Sequence, residues 1–204
     1  MTIAQTASLG YNRVILKRRE VKMRLREKVL TRRVVYAGSY LTTYQYRVRL
    51  PDGNATTRDI VRPPDAVAVV PLDGAGNIHL VRQYRPAVGR ILYELPAGII
   101  DRGESPARTA RRECEEEIGM RPKRLKKLCV AYHATGFSTG CVHIYLATGL
   151  IPVRRRPHDG SEFVEPVRLP LDRAYRMALL NQIVDAQSLI GLLWTQRLRA
   201  QEAL

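Results

Sequence analysis

Between Gly98 and Met120 the chain reads GIIDRGESPARTARRECEEEIGM, and this stretch limits the fold more than any other. It carries a helix with both ends marked. Ser105 offers an N-cap hydroxyl, Pro106 suits the first helical position, and Ala107 to Glu117 contain no breaker. Gly119 stands where a left-handed C-cap belongs. Residues three and four apart share a helix face, so Glu113, Glu116 and Glu117 meet on one side, with Glu104 in the loop just before. The formal net charge of the chain is +15, yet six acids crowd this one segment (Asp101, Glu104, Glu113, Glu115, Glu116 and Glu117).

Like charges on one helix face repel unless a cation lies among them. Two arrangements satisfy that demand. Arg108, Arg111 and Arg112 can pair with the acids on a solvated surface. Alternatively, the carboxylates hold a hard divalent ion, Mg²⁺ or Mn²⁺, which oxygen-only ligands suit and which commonly works beside a phosphate-bearing substrate.

The rest of the chain supplies mostly strands. Residues 34–60 alternate β-branched and aromatic side chains around a Pro-Asp-Gly turn and predict a meander. AVAVVPLD and IHLVRQYRP, separated by GAGN, predict a strand pair, and ILYELPAGII a single short strand. Two further strands are expected in LKKLCVAYHATGF and CVHIYLATGLI. A polar loop, HDGSEFVEP, leads into another. PLDRAYRMALLNQI and the segment after Asp185 read as helices, the second anchored by Leu189, Leu192, Leu193 and Trp194.

Length (204 residues) and 45% hydrophobic content fit one globular domain with an appended arm. The arm is residues 1–33, with ten Lys/Arg against two Glu; Val21, Met23 and Leu25 alternate there with Lys22, Arg24 and Arg26. That pattern suits a charge-guarded edge strand or a nucleic-acid arm. Residues 34–60 follow as a β subdomain and 61–204 as the main domain. Cys114, Cys129 and Cys141 show no paired spacing and predict free thiols in a reducing cytoplasm. No apolar run is long enough for a membrane span, and the N-terminus shows no secretory hydrophobic region.

The order Gly98, five residues, Glu104, seven residues, then Arg112-Glu113-Cys114-Glu115-Glu116-Glu117-Ile118-Gly119-Met120 resembles the Nudix box. The one unusual choice is Cys114 in an apolar slot, tolerable because a free Cys behaves as a small hydrophobe. VRQYRP, YELPAGIID and DAQSLIGLLW further resemble the ADP-ribose pyrophosphatase branch, from about Arg33 to about Trp194. The resemblance implies an α/β fold of the α+β kind, with mixed β-sheets sandwiched between helices and an N-terminal antiparallel subdomain. It implies Mg-dependent hydrolysis of a nucleoside diphosphate sugar, ADP-ribose being the first candidate. By the same resemblance Glu113, Glu116, Glu117 and the carbonyl of Ala97 are metal ligands, and Arg112 and Glu104 tie loop to helix. Arg82, Arg85 and Gly98 fall to the substrate side, with Arg85 on the phosphates. Members of that branch are homodimers that share their pockets, which makes Tyr40, Tyr44 and Tyr46 candidates for stacking on the base.

The general base is expected in the loop before the penultimate strand. Gly160 occupies the branch's usual glutamate position, so three carboxylates remain: Glu162 ranks first as lying near the mouth of the strand, Asp159 second with a short side chain beside the glycine, and Glu165 third, further in on the opposite face. Thr135 and Gly140 also depart from the branch pattern, leaving room for another nucleotide sugar. Two other functions stay open: a Nudix enzyme for RNA 5′ ends or free nucleoside triphosphates, and a nucleotide sensor without turnover.

Overall fold

The computed structural model describes residues 25–155 and 163–202. Strands β1 (Lys28–Ala37), β2 (Thr42–Arg49) and β3 (Ala55–Arg62) form an antiparallel sheet in the order β1-β2-β3. The meander expected over 34–60 is therefore present, but β1 runs across the 33/34 boundary. The basic residues from Lys28 to Arg33 belong to the sheet rather than to an arm. Gly53 closes the β2–β3 turn at φ 92°, a conformation that costs a residue with a side chain more than glycine. β1 is exposed along its whole length, and Val34, Val35 and Tyr36 lie uncovered. Val21 and Met23 lie outside the described residues.

The main domain comprises β4 (Ala66–Pro71), β5 (Asn77–Arg85), β6 (Arg90–Glu94), β7 (Ala97–Ile99), α1 (Pro106–Ile118), β8 (Met120–Tyr132), β9 (Cys141–Pro152), β10 (Val164–Pro170), α2 (Leu171–Leu179) and α3 (Ala186–Glu202). A mixed sheet runs β7-β4-β9-β8, with β4 and β9 parallel, and a second, antiparallel sheet runs β10-β5-β6. Ala110, Cys114 and Ile118 of α1 pack on the mixed-sheet face formed by Val67, Val69 and Tyr145. Leu192 of α3 and Ala174 and Met177 of α2 join the opposite core with Val70, Leu95 and Ile144. This is the helix-flanked, mixed-sheet α+β architecture expected. Full burial of a leucine such as Leu192 contributes roughly 1.5–3 kcal/mol.

Three local expectations are corrected. β4 and β5 do not form a strand pair: after one bridge, Leu72 to Ile78, they part into different sheets. β4 is nearly all buried, with Val67, Ala68, Val69 and Val70 each at 0% exposure, and it takes the central place beside a parallel partner. ILYELPAGII divides into β6 and β7, and the break at Leu95 and Pro96 passes the chain from one sheet to the other. In α3, Leu193 and Trp194 are exposed, while Ser188 and Thr195 are buried. Ser188, Gly191, Leu192 and Thr195 recur at helical spacing on the inner face, which turns Leu193 and Trp194 outward. At position 191 an added Cβ would sit 2.7 Å from Leu95 and 2.9 Å from Val70, so the helix backbone lies against the sheet there.

Candidate active site

Helix α1 begins and ends as its sequence demands. Ser105 Oγ accepts the Arg108 N–H at 3.3 Å, and Gly119 takes the left-handed C-cap at φ 65°. The register turns Glu113 and Glu117 inward, at 3% and 1% exposure, and leaves Glu116 nearer the surface. Carboxylates this deeply buried are costly unless paired. Glu117 Oε2 accepts the Ala97 N–H at 3.0 Å, which fixes the helix against β7. Gly98 stands across from Glu113: a Cβ there would overlap the carboxylate, coming 2.8 Å from Oε2 and closer still to its other atoms. Glycine at 98 is thus the condition for Glu113 to occupy its place.

Arg112 is the cation among the acids. Its Nη1 donates to Glu113 at 2.7 Å and to Glu116 at 3.0 Å, and its Nη2 to Glu104 and to the Ile99 carbonyl, both at 3.2 Å. The loop–helix ion pair between Arg112 and Glu104 is therefore present. Burial opposes the charge of both groups. Their mutual hydrogen bonds outweigh it, helped by Thr109 at Glu104 and by Glu113 and Glu116 at Arg112, so Glu104 titrates below the usual glutamate range and Arg112 stays protonated. Burial, then the negative charges of Glu117 and Glu113, push the Cys114 thiol up, leaving it an unreactive core residue.

A cavity of about 590 Å³ opens beside this cluster, walled in part by Ala97, Gly98, Arg112, Glu113 and Arg85. Glu104, Arg112 and Glu116 face a smaller hollow of about 230 Å³. Arg85 is held over the cavity by Glu94: its Nη2 donates at 2.6 Å and its Nε to both carboxylate oxygens at 3.0 Å. Gln83, also in the cavity wall, donates to Glu94 at 3.1 Å. Sequence reasoning missed Glu94. Its signal was a single acid at the end of the apolar run 91–93, where a charge needs a buried partner.

The remaining candidates separate. Tyr40 lines the cavity, whereas Tyr44 and Tyr46 stack edge-on with centroids 6.0 Å apart and take Arg62 and Arg32 over their rings. Arg82 is not in the cavity wall. It lies on the other face of β5, over the Tyr93 ring and 3.2 Å from Glu165. Glu165 is accordingly on the exposed face of β10. Asp159, Gly160 and Glu162 lie outside the described residues. The chain on either side of them is anchored to α1 and to itself by Arg155, which donates to the Glu116 carbonyl at 3.0 Å and to the Val164 carbonyl at 2.7 Å. Gly140 sits where an added Cβ would come 2.6 Å from Pro63, so a glutamate there would displace the segment joining β3 to β4.

The donor set fits a hard divalent cation. Glu113 stands over Gly98 and Glu117 bonds the Ala97 N–H, so two of the expected carboxylates meet at β7, while Glu116 faces the smaller hollow; oxygen donors of this kind suit such an ion. No helix among the described residues is long and apolar enough to cross a membrane.

A family model for the NUDIX domain matches residues 62–189. The ADP-ribose pyrophosphatase of Bacillus subtilis (strain 168) is 36% identical over 181 residues, covering 88% of this chain and 96% of that protein. The ADP-ribose pyrophosphatase of Mycobacterium tuberculosis is 37% identical over 168 residues, 81% of each chain. The methanol dehydrogenase activator of Bacillus methanolicus is 34% identical over 179 residues, 87% of this chain and 95% of that one. The crystal structure of an ADP compounds hydrolase shares the fold, with a TM-score of 0.79 at 23% identity over 88% of this chain and 98% of the other. The acidic helix, its glycine cradle and the arginine that binds loop to helix are the parts of a Nudix box, and the chain belongs to the Nudix hydrolase family.

Proposed function

We propose that the protein hydrolyses the diphosphate bond of ADP-ribose, giving AMP and ribose 5-phosphate. The observation that carries this reading is the seating of Glu113 against Gly98 at the wall of a cavity that also contains Arg85. The two relatives named ADP-ribose pyrophosphatase support the choice of substrate. Glu113, Glu116, Glu117 and the Ala97 carbonyl would hold magnesium, or manganese in its place. A divalent cation so bound draws charge from the phosphate oxygens and makes the attacking water more acidic.

The chain's own groups do the rest. Arg85, held in place by Glu94, aligns phosphate oxygens through its planar guanidinium. Glu104 and Arg112 keep the loop and the carboxylates in register. Glu162 takes the proton of the water from a segment whose flanks Arg155 holds beside Glu116. Tyr40 offers a ring to the base. The exposed apolar strip of the N-terminal sheet favours a homodimer. The free cysteines suit a cytoplasmic protein.

A second reading, action on RNA 5′ ends, draws on a basic hollow of about 750 Å³ along β8, lined by Arg111, Lys123, Arg124, Lys126 and Arg199. Incubation with Mg²⁺ and a panel of sugar nucleotides, dinucleotides, nucleoside triphosphates and capped RNA, with products identified by mass spectrometry, tests both. AMP and ribose 5-phosphate as the fastest-formed products support the first reading. Faster RNA turnover, with affinity falling steeply in salt, supports the second and overturns the first.

A further inference from the structure

Three groups with metal-ligand chemistry meet away from the carboxylate helix, at the start of the parallel pair β4–β9. Cys141 and His143 are two apart on β9, so both side chains project to the same face. The register sets Ala66 opposite Val142 and Val67 opposite His143, which brings Asp65, just before β4, alongside Cys141. Cys141 Sγ and His143 Nε2 are 3.8 Å apart, and the donor atoms of all three residues lie within 4.8 Å of one another. Asp65 Oδ1 accepts the Cys141 N–H at 3.2 Å, so the carboxylate is fixed by the backbone rather than left to wander. Cys141 is buried, His143 half-buried and Asp65 exposed, so the group opens to solvent on one side. His143 Nδ1 is buried without a hydrogen-bond partner among the described residues; the ring's polar engagement is on its Nε2 edge, toward the sulfur.

We propose that Asp65, Cys141 and His143 form a binding site for a thiophilic divalent ion of the zinc type, separate from the oxygen-only clamp on α1. Tetrahedral Zn²⁺ with sulfur at about 2.3 Å and nitrogen at about 2.0–2.1 Å sets those two ligands roughly 3.5 Å apart. The observed 3.8 Å closes to that value with a small side-chain movement. One sulfur, one nitrogen and one oxygen form a set that discriminates against Mg²⁺ and favours zinc, leaving a fourth position for water. Binding replaces the thiol proton, which leaves to solvent as the thiolate takes the metal; no change of oxidation state is involved. Lys127 opposes the site, since its charge acts on both Cys141 and His143. The site also touches the catalytic region: the Asp65 carbonyl accepts the Ile100 N–H at 2.9 Å, one residue before the Asp101–Glu104 loop, and the next residue, Ala66, lines the cavity.

The test is a Co²⁺ titration of the metal-stripped full chain, read by the near-ultraviolet sulfur-to-cobalt charge-transfer band. An all-oxygen site cannot produce that band. The wild type is expected to develop it to one equivalent, to lose it to Zn²⁺ and to keep it in excess Mg²⁺. Cys141→Ser should abolish the band and His143→Ala should weaken Co²⁺ binding at least about tenfold. Glu117→Gln and Cys129→Ser should leave it intact, and circular dichroism checks that each variant is folded. Absence of the band in the wild type, its survival in Cys141→Ser, or its removal by Mg²⁺ overturns the proposal. Should Cys141→Ser fail to fold, Asp65→Asn and His143→Ala decide the matter: unchanged Co²⁺ affinity in both refutes the site.

Discussion

Gly98→Ala separates the fold from the function at a single atom. Gly98 lies in β7 opposite Val67 and is not among the glycines with positive φ, so its backbone accepts alanine without strain. The new methyl overlaps the Glu113 carboxylate. That group is the far end of a flexible side chain, so it can yield by leaving its rotamer, at a cost of about 0.5–1.5 kcal/mol. Stability should therefore fall by only about 1 kcal/mol. Function should suffer more. Glu113 is 3% exposed and bonded to Arg112 at 2.7 Å, so a carboxylate that moves off the methyl gives up part of the geometry that aims it at the cavity. A displacement of about 1 Å in such a constellation costs about 10²-fold in turnover, or about 2.7 kcal/mol of barrier. Urea unfolding gives the first quantity and steady-state kinetics at saturating Mg²⁺ the second. Adding Glu113→Asp, one methylene shorter, should partly relieve the overlap, so the double variant should lose less than the sum of the two singles. Turnover within about threefold of wild type in Gly98→Ala, or strict additivity in the double variant, would refute the argument that this glycine exists to seat Glu113.

Glu117→Gln can still accept the Ala97 N–H, so it should fold normally yet lose at least about 10²-fold in turnover, as should Glu116→Gln; near-normal rates at saturating Mg²⁺ in both would remove the clamp. Glu162→Gln should lower kcat with little change in KM, because a base acts mainly in the transition state; an unaltered rate beside an inactive Asp159→Asn hands the role to Asp159. Sedimentation at micromolar concentration should give a dimer, since β1 leaves Val34, Val35 and Tyr36 uncovered; a monomer would count against the shared pocket. Chelation should abolish turnover while leaving the helical circular dichroism and a cooperative melt in place, because Arg112 already bridges the carboxylates and offsets part of their repulsion; unfolding on chelation would mean that the ion holds the helix together.

The parts legible in the sequence are those set by neighbours along the chain. Ser105, Pro106 and Gly119 fixed both ends of α1 because a cap acts within a turn of the residue that supplies it. The hidden parts depend on approach between distant segments. GAGN, with Gly76 at φ 78°, makes a good tight turn, but whether β4 then pairs with β5 is decided by β9, seventy residues on, which offers β4 a parallel partner and a second buried face. In α3 the apolar count pointed to Leu193 and Trp194. The register instead turns Ser188, Gly191, Leu192 and Thr195 inward, and the two hydroxyls find partners in Asp185 at 2.7 Å and the Gly191 carbonyl at 2.8 Å. Leu192 still fills the core from the same face, so the close approach limits position 191 and not the whole helix.

The same distinction governs the acidic segment. Spacing alone offered two arrangements for its charge, a solvated face paired with arginine or a divalent clamp, and treated them as rivals. The structure has Arg112 bridging Glu113, Glu116 and Glu104, so the arginine pairing is real. It is compatible with the proposed clamp: Arg112 reaches Glu113 through Oε1 and Glu116 through Oε2. Ionised carboxylate oxygens accept several bonds, so Glu113 can bond Arg112 and still face the cavity. A guanidinium offsets part of the cluster's charge permanently and holds its geometry, which lets the helix fold before any ion arrives. Under the proposed clamp a divalent ion would meet ligands already in position, and its binding energy would go into the reaction rather than into ordering the site.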